Sequence, residues 1–200
     1  MEKYEIIAAT NNEHKLIEIR QILEPHNIKV YSLKEMNIDI DVKEDGKTYL
    51  DNALLKARAI SKLTSLPLIS DDSGIEIEAL DNMPGIYTAR YASSVGGYQE
   101  AFKIIQQACK KKSNYKAMFN CDIVLIDEHK NEYVFEGRIK GSVAKEIDGV
   151  NGFAFDPIFI SDETGVTNAS LSPENKNRFS ARGAALAKLI TYLKENGKAS

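Results

Sequence analysis

The hydrophobic pattern opens with an apolar run at residues 4–9 that gives way to Thr10-Asn11-Asn12. Leu16, Ile19 and Leu23 then recur at helical spacing until Pro25, which cannot continue a helix, so the segment reads strand, polar loop, helix. A second helix is predicted over 48–63, with Leu50, Leu54 and Ala57 on one face and Thr48 and Asp51 spaced as a capping box. Residues 66–69 read as a short buried strand running into Ser70-Asp71-Asp72-Ser73-Gly74. Strict alternation over 75–80 follows, as in a strand with one buried face, so polar residues are expected to cluster at a strand-to-strand junction.

Further along, Ala101, Ile104, Ile105 and Ala108 line a third helix that ends in Lys110-Lys111-Lys112, a cationic end that complements the helix dipole. Two long alternating runs, 115–126 and 133–143, flank the polar stretch 127–132 and predict a β-hairpin. Leu186, Leu189, Ile190 and Leu193 predict a terminal helix over 180–193 with Ser180 as its N-cap. Strand-helix units combined with a hairpin indicate an α/β protein with a mixed sheet, not an all-parallel doubly wound one. No repeat, low-complexity tract or linker divides the chain, so residues 1–200 are expected to form a single domain.

Composition narrows the function classes. With 43% apolar and 28% charged residues, the chain is neither a disordered polymer nor a fibre. Its 26 Lys and Arg against 29 Asp and Glu leave a formal charge of −3, without the basic excess that neutralises many phosphates, so no nucleic-acid partner is expected. Cys109 and Cys121 are too few for a disulfide framework and lack metal-ligand spacing, which fits a cytoplasmic protein. Acidic and polar residues near the start occupy the place of a signal peptide's apolar run, and no stretch approaches the ~20 apolar residues of a membrane span. Neither export nor a membrane partner is expected.

Three segments could carry chemistry, because loops after strands are where α/β proteins hold ligands. Thr10-Asn11-Asn12-Glu13-His14-Lys15 sets a hydroxyl, amides and a cation at a helix N-terminus, which suits a phosphate but equally a plain N-cap beside a solvated Lys. Asp71 and Asp72, with Glu44 upstream, could give Mg²⁺ the one or two carboxylates it takes alongside substrate phosphates, or could be a turn with solvated acids. Phe153-Ala154-Phe155-Asp156, with Lys176 and Arg182 later, offers a stacking face and cations for a nucleotide; the alternative is core aromatics and surface charge. Phosphate-loop, dinucleotide and nucleophile-elbow motifs are absent, and His14, His26 and His129 lack ligand spacing.

Taken in order, five blocks resemble the inosine triphosphate pyrophosphatase family, which hydrolyses non-canonical purine nucleoside triphosphates such as ITP, dITP and XTP. They are Thr10 to Lys15 with Glu18; Glu44-Asp45-Gly46-Lys47-Thr48 through Ala53; Asp71-Asp72-Ser73-Gly74 with Pro84-Gly85-Ile86-Tyr87-Thr88-Ala89-Arg90-Tyr91; Gly152-Phe153-Ala154-Phe155-Asp156-Pro157; and Lys176-Asn177 with Ser180-Ala181-Arg182-Gly183. The resemblance implies an elongated mixed sheet flanked by helices, two lobes with an active-site cleft between them, and a homodimer. It implies Mg²⁺ on Glu44 and Asp72, and catalysis by Asp72 and Lys15. Substrate would be bound by Thr10, Asn11, Asn12, Glu13, His14, Lys15, Ser73, Phe153, Ala154, Phe155, Asp156, Lys176, Ala181 and Arg182. The family's Ser-His-Arg is Ser180-Ala181-Arg182 here, and its aromatic loop usually has Gly before Tyr or Trp where this chain has Ala154-Phe155. Loss of the imidazole is expected to leave base selection to Arg182 and backbone amides and to relax it. Two alternatives stand beside the family activity: a nucleotide-binding or sensing protein on the same scaffold, and a pyrophosphatase of altered base specificity.

Overall fold

A computed structural model describes residues 3–200, so Met1 and Glu2 lie outside the described residues. In chain order the elements are β1 (Tyr4–Ala8), α1 (Glu13–Leu23), β2 (Ile28–Ser32), α2 (Tyr49–Ser61), β3 (Leu68–Ile77), β4 (Met83–Pro84), α3 (Thr88–Ser94), α4 (Tyr98–Lys112), β5 (Lys116–Ile126), β6 (Glu132–Val143), β7 (Phe159–Ser161), α5 (Pro173–Phe179) and α6 (Ala181–Glu195). Among the described residues the strands form one seven-stranded sheet in the order β2-β1-β3-β5-β6-β7, with β4 beside β3. β1 runs parallel to both β2 and β3, whereas β3–β4 and β6–β7 are antiparallel, so the sheet is mixed as expected.

The chain packs as two compact units, each assembled from separate segments. The first comprises the chain up to Asp72, Cys121–Glu136 and Arg182–Ser200; the second comprises Ser73–Asn120 and Gly137–Ala181. Three of these boundaries fall inside β3, β5 and β6, where no linker composition could mark them.

In the first unit, Ala53, Ala57 and Ile60 of α2 pack on Ile7 of β1, Leu68 of β3, and Val124 and Ile126 of β5. The predicted capping box starts α2: Thr48 Oγ1 accepts from the Asp51 amide, and the Asp51 carboxylate accepts from the amides of Lys47 and Thr48. In the second unit, Ala101, Phe102, Ile105 and Cys109 of α4 pack on Ile75 and Ile77 of β3, with Val143, Phe155 and Phe159.

Three expectations need correction. No junction interrupts the chain at Ser70–Gly74; β3 continues through it as a single ten-residue strand. A strand tolerates two buried acids there because cations packed on it offset them, an arrangement that local sequence does not display. The alternation expected over 75–80 ends at Ile77, after which residues 78–80 form a 3₁₀ turn. Ser180 closes α5, its amide donating to the Lys176 carbonyl at 2.8 Å, and α5 itself is an unpredicted helix capped by Ser172.

Candidate active site

Alternation along β3 sends the side chains of Leu68, Ser70 and Asp72 to the face covered by α2, and Asp71 to the opposite face. Ser70 Oγ donates to the Ala53 carbonyl, and Asn52 Nδ2 donates to Asp72 Oδ2 at 3.1 Å. Asn52 and Lys56 stand one turn apart on α2, so both reach this end of β3. Lys56 Nζ lies 2.6 Å from the Glu44 carboxylate and donates to the Asp71 carbonyl oxygen at 2.5 Å. Asn52 Oδ1 accepts from the Gly46 amide at 2.8 Å, and a Cβ at Gly46 would stand 2.5 Å from Asp51 Cβ. Glycine at 46 thus lets the segment carrying Glu44 settle onto the start of α2.

On the other face, Asp71 Oδ2 receives three cationic contacts: Lys15 Nζ at 3.1 Å, Arg182 Nη2 at 3.0 Å and Arg182 Nε at 3.3 Å. Arg182 Nη1 bonds Glu18 at 2.5 Å. Lys15 is delivered by the first turn of α1, whose start is fixed by Asn12 Oδ1 accepting from the Lys15 amide and by Thr10 Oγ1 accepting from the Asn12 amide.

These surroundings separate two adjacent acids. Burial pushes the Asp71 carboxyl upward, but Lys15, Arg182 and Lys56 outweigh it and hold the group well below the ordinary carboxylate range. Burial dominates at Asp72, where Lys15, Lys56 and the Asn52 hydrogen bond only partly offset it, and the carboxyl rises to about 6. Lys56 is stripped of solvent, which lowers its pKa, but Asp71 and Glu44 raise it further, so it stays charged. Burial and the Asp71 charge lift the Cys121 thiol to about 12, which leaves it unreactive.

The second unit holds a separate cluster. Asp156 Oδ2 accepts from the Phe153 amide at 2.8 Å and pairs with Lys176 Nζ at 2.6 Å; Oδ1 accepts from Asn168 Nδ2 at 3.3 Å. Lys176 Nζ stands 4.6 Å from the centroid of the Phe153 ring. Gly152 (φ +73°) makes this loop possible, since a Cβ there would sit 2.2 Å from Asp156 Oδ2, and Ala154 also takes a left-handed φ of +55°.

The expected site residues therefore divide. Lys15, Glu44, Asp72 and Arg182 converge in the first unit, with Thr10 and Asn12 shaping the loop that delivers Lys15. Asn11 is exposed on that loop, Glu13 and His14 are exposed in the first turn of α1, and Ser73 is half-buried in β3. Phe153, Ala154, Asp156 and Lys176 gather in the second unit; Ala181 is buried at the start of α6. Three placements differ from expectation. Phe155 is core, fully buried with its ring 5.5 Å from Tyr98 and 5.9 Å from Phe102, because the turn at Ala154 aims it inward. Arg182 directs its guanidinium to Asp71 and Glu18. The Asn12 amide, expected to face phosphate, serves Thr10. Asn52, Lys56 and Asn168 were not singled out by sequence reasoning; the polar pair four residues apart on an otherwise apolar-faced helix was the available signal for the first two.

Among the described residues no three acids, histidines or cysteines form a ready metal cage. Glu44 and Asp72 nevertheless present hard oxygen donors close enough for the Glu44 charge to help raise Asp72. Two carboxylates with room left for phosphate oxygens are the donor set Mg²⁺ takes, so the residues fit that ion.

A protein from Porphyromonas gingivalis called dITP/XTP pyrophosphatase is 40% identical over 194 residues, covering 96% of this chain and 98% of that protein. The structure of a HAM1 protein from Coxiella burnetii is similar at a TM-score of 0.84 and 37% identity, covering 96% of this chain and 98% of that one. The Staphylococcus aureus Ham1 protein gives 0.83 and 34%, covering 96% and 99%. The family model described as the Ham1 family matches residues 6–192, a span that includes every site residue from Thr10 to Arg182, and the chain belongs to that family.

Proposed function

We infer that the chain is a nucleoside triphosphate pyrophosphatase that converts non-canonical purine nucleotides (dITP, XTP and ITP) to the monophosphate and pyrophosphate. The observation that carries this reading is the placement of the two acids of β3: Asp71 is buried as the counter-ion of Lys15 and Arg182, while Asp72 lies on the face that carries Asn52, Lys56 and Glu44. The Asn52 hydrogen bond orients the Asp72 carboxylate, which is suited to accept a proton from water. The water oxygen would bond to the α-phosphorus, its proton passing to Asp72, while the α–β bridging bond breaks and pyrophosphate leaves. Lys15 and Lys56 offset charge on the polyphosphate as it shifts toward the leaving group. Magnesium on Glu44 and Asp72, when bound, would supply further charge neutralisation to the phosphate oxygens.

The second unit, taken by itself, carries groups suited to a purine base. Hypoxanthine and xanthine carry an acceptor oxygen at C6 where adenine carries an amino donor, so the Lys176 ammonium favours the former, and the Phe153 ring provides a stacking face. A homodimer and a cytoplasmic setting complete the proposal, the latter supported by Cys109 and Cys121, both buried and neither in a disulfide. A second reading, relaxed base selection, is favoured by Ala181 at the family's His position and by the engagement of Arg182 with Asp71 and Glu18.

Pyrophosphate release from ITP, XTP, dITP, ATP and GTP, measured with Mg²⁺ and with EDTA, tests both readings. Magnesium-dependent turnover favouring the 6-oxo, non-canonical bases is expected. Comparable turnover of all five would establish relaxed selection, and turnover of none would leave a nucleotide-binding protein on this scaffold.

A further inference from the structure

The Asp156 carboxylate ties together the groups assigned to base recognition. Its Oδ2 holds both the Phe153 amide and the Lys176 ammonium, and that ammonium lies over the Phe153 ring. A carboxylate gripped at one oxygen can turn about its Cβ–Cγ bond and carry its partners with it. The other oxygen, Oδ1, accepts from Asn168 Nδ2 at 3.3 Å. Asn168 is buried in a 3₁₀ turn, and the carbonyl of the next residue, Ala169, accepts from the amides of Val150 and Asn151 at 3.1 and 3.0 Å. The turn that carries Asn168 is therefore fastened to the loop that leads into Phe153.

Packing alone does not account for an amide here. Asn168 Oδ1 is buried with no hydrogen-bond partner among the described residues, a condition that costs stability and that a leucine of similar size would relieve. The donor half of the side chain explains what the acceptor half does not. A neutral donor holds the second oxygen without competing with Lys176 for the carboxylate charge, which a second cation would do.

We propose that Asn168 is a positioning residue that sets base selectivity: by holding Asp156 Oδ1 it fixes Lys176 and the Phe153 amide where a 6-oxopurine is read. This rests on the assignment of Phe153, Asp156 and Lys176 to the base.

The test compares the full-length wild-type chain with Asn168→Leu, Asn168→Ala (the same removal without the bulk) and Asn168→Gln (a donor restored). Four quantities are read: KM and kcat for ITP, the preference for ITP over ATP, inhibition by inorganic tripolyphosphate, which has no base, and the melting temperature. For Asn168→Leu the expected result is a KM for ITP raised about tenfold and a preference lowered by a similar factor, the consequence of losing one hydrogen bond to a charged group. The kcat should stay within about twofold, tripolyphosphate inhibition should be unchanged, and the melting temperature should stay close to wild type, since removal of the orphaned Asn168 carbonyl offsets the donor that Asp156 Oδ1 loses. Asn168→Gln should recover much of the preference. Unchanged KM and preference in both removal variants would overturn the proposal. So would tripolyphosphate inhibition that weakens in step with KM, because that would mark a general structural role. Wild type acts as the internal control: if it fails to hydrolyse ITP, the pyrophosphatase reading falls and this proposal with it, whereas an active wild type beside unaffected variants removes this proposal alone.

Discussion

Replacing each of the two neighbouring acids of β3 by its isosteric amide should move stability in opposite directions. Asp71→Asn removes the shared counter-charge of Lys15 and Arg182, contacts of 3.1 and 3.0 Å made deep in the first unit. Breaking a buried pair from one side leaves cations uncompensated and costs about 3–5 kcal/mol. Asp72→Asn removes a charge that the fold holds at a disadvantage. Its carboxyl is raised from 3.8 to about 6, which corresponds to about 3 kcal/mol of native-state cost for the ionised form. The folded chain keeps this proton up to about pH 6, while the unfolded chain releases it near 3.8, so stability declines as the pH rises through that window. Below about pH 3 both states are protonated and the cost is absent. Asp71 behaves conversely: its depressed carboxyl contributes stability that is full above the unfolded pKa and is lost only as the pH falls toward its low folded value. Urea unfolding in EDTA at pH 8 should therefore show Asp72→Asn more stable than wild type by about 2–3 kcal/mol and Asp71→Asn less stable by at least as much. At pH 4.5 the Asp72→Asn gain should shrink to about a third of its value at pH 8. Two variants shifted in the same direction at pH 8, or a gain from Asp72→Asn that does not depend on pH, would refute the electrostatic division of the pair.

The two phenylalanines of the aromatic loop should part in the same manner. Phe155→Ala empties a fully buried ring site and should cost about 3–5 kcal/mol in a thermal or urea melt, whereas Phe153→Ala should leave stability nearly intact and raise KM for ITP about tenfold through lost stacking; equal melting points for the two variants would contradict their placement. Gly152→Ala forces a Cβ to 2.2 Å from Asp156 Oδ2 at a positive φ, and should cost about 1–3 kcal/mol and raise KM for ITP while leaving tripolyphosphate inhibition unchanged. A wild-type KM in that variant would show that the Asp156 position does not govern base binding.

Much of this arrangement is legible in the chain because its signals are local. The Thr48–Asp51 box, the heptad-like spacing of Leu186, Leu189, Ile190 and Leu193, and the alternating runs around residues 127–132 each report on backbone within a few residues, and each appears as an element. β3 was divided in two because Asp71 and Asp72 look like turn residues until Lys15 and Arg182, distant in sequence, are packed against them. Arg182 was directed to the base for a related reason: a cation beside a motif suggests a ligand, and only the folded chain shows that Glu18 and Asp71 already engage it. Phe153 and Phe155 are two residues apart and chemically alike, so spacing could not tell the ring facing outward from the one in the core; the left-handed turn at Ala154 decides it. Asn168 left no signal, since its role lies in one hydrogen bond to a residue twelve positions earlier.

The central claim is that water attacks the α-phosphorus and that pyrophosphate is the leaving group. Single-turnover hydrolysis of ITP in ¹⁸O-labelled water, with the label located by mass spectrometry, addresses it directly. The account predicts one ¹⁸O in the inosine monophosphate and none in pyrophosphate, with Asp72→Asn abolishing most of the turnover. Label in pyrophosphate, or inorganic phosphate and a diphosphate as the products, would contradict it.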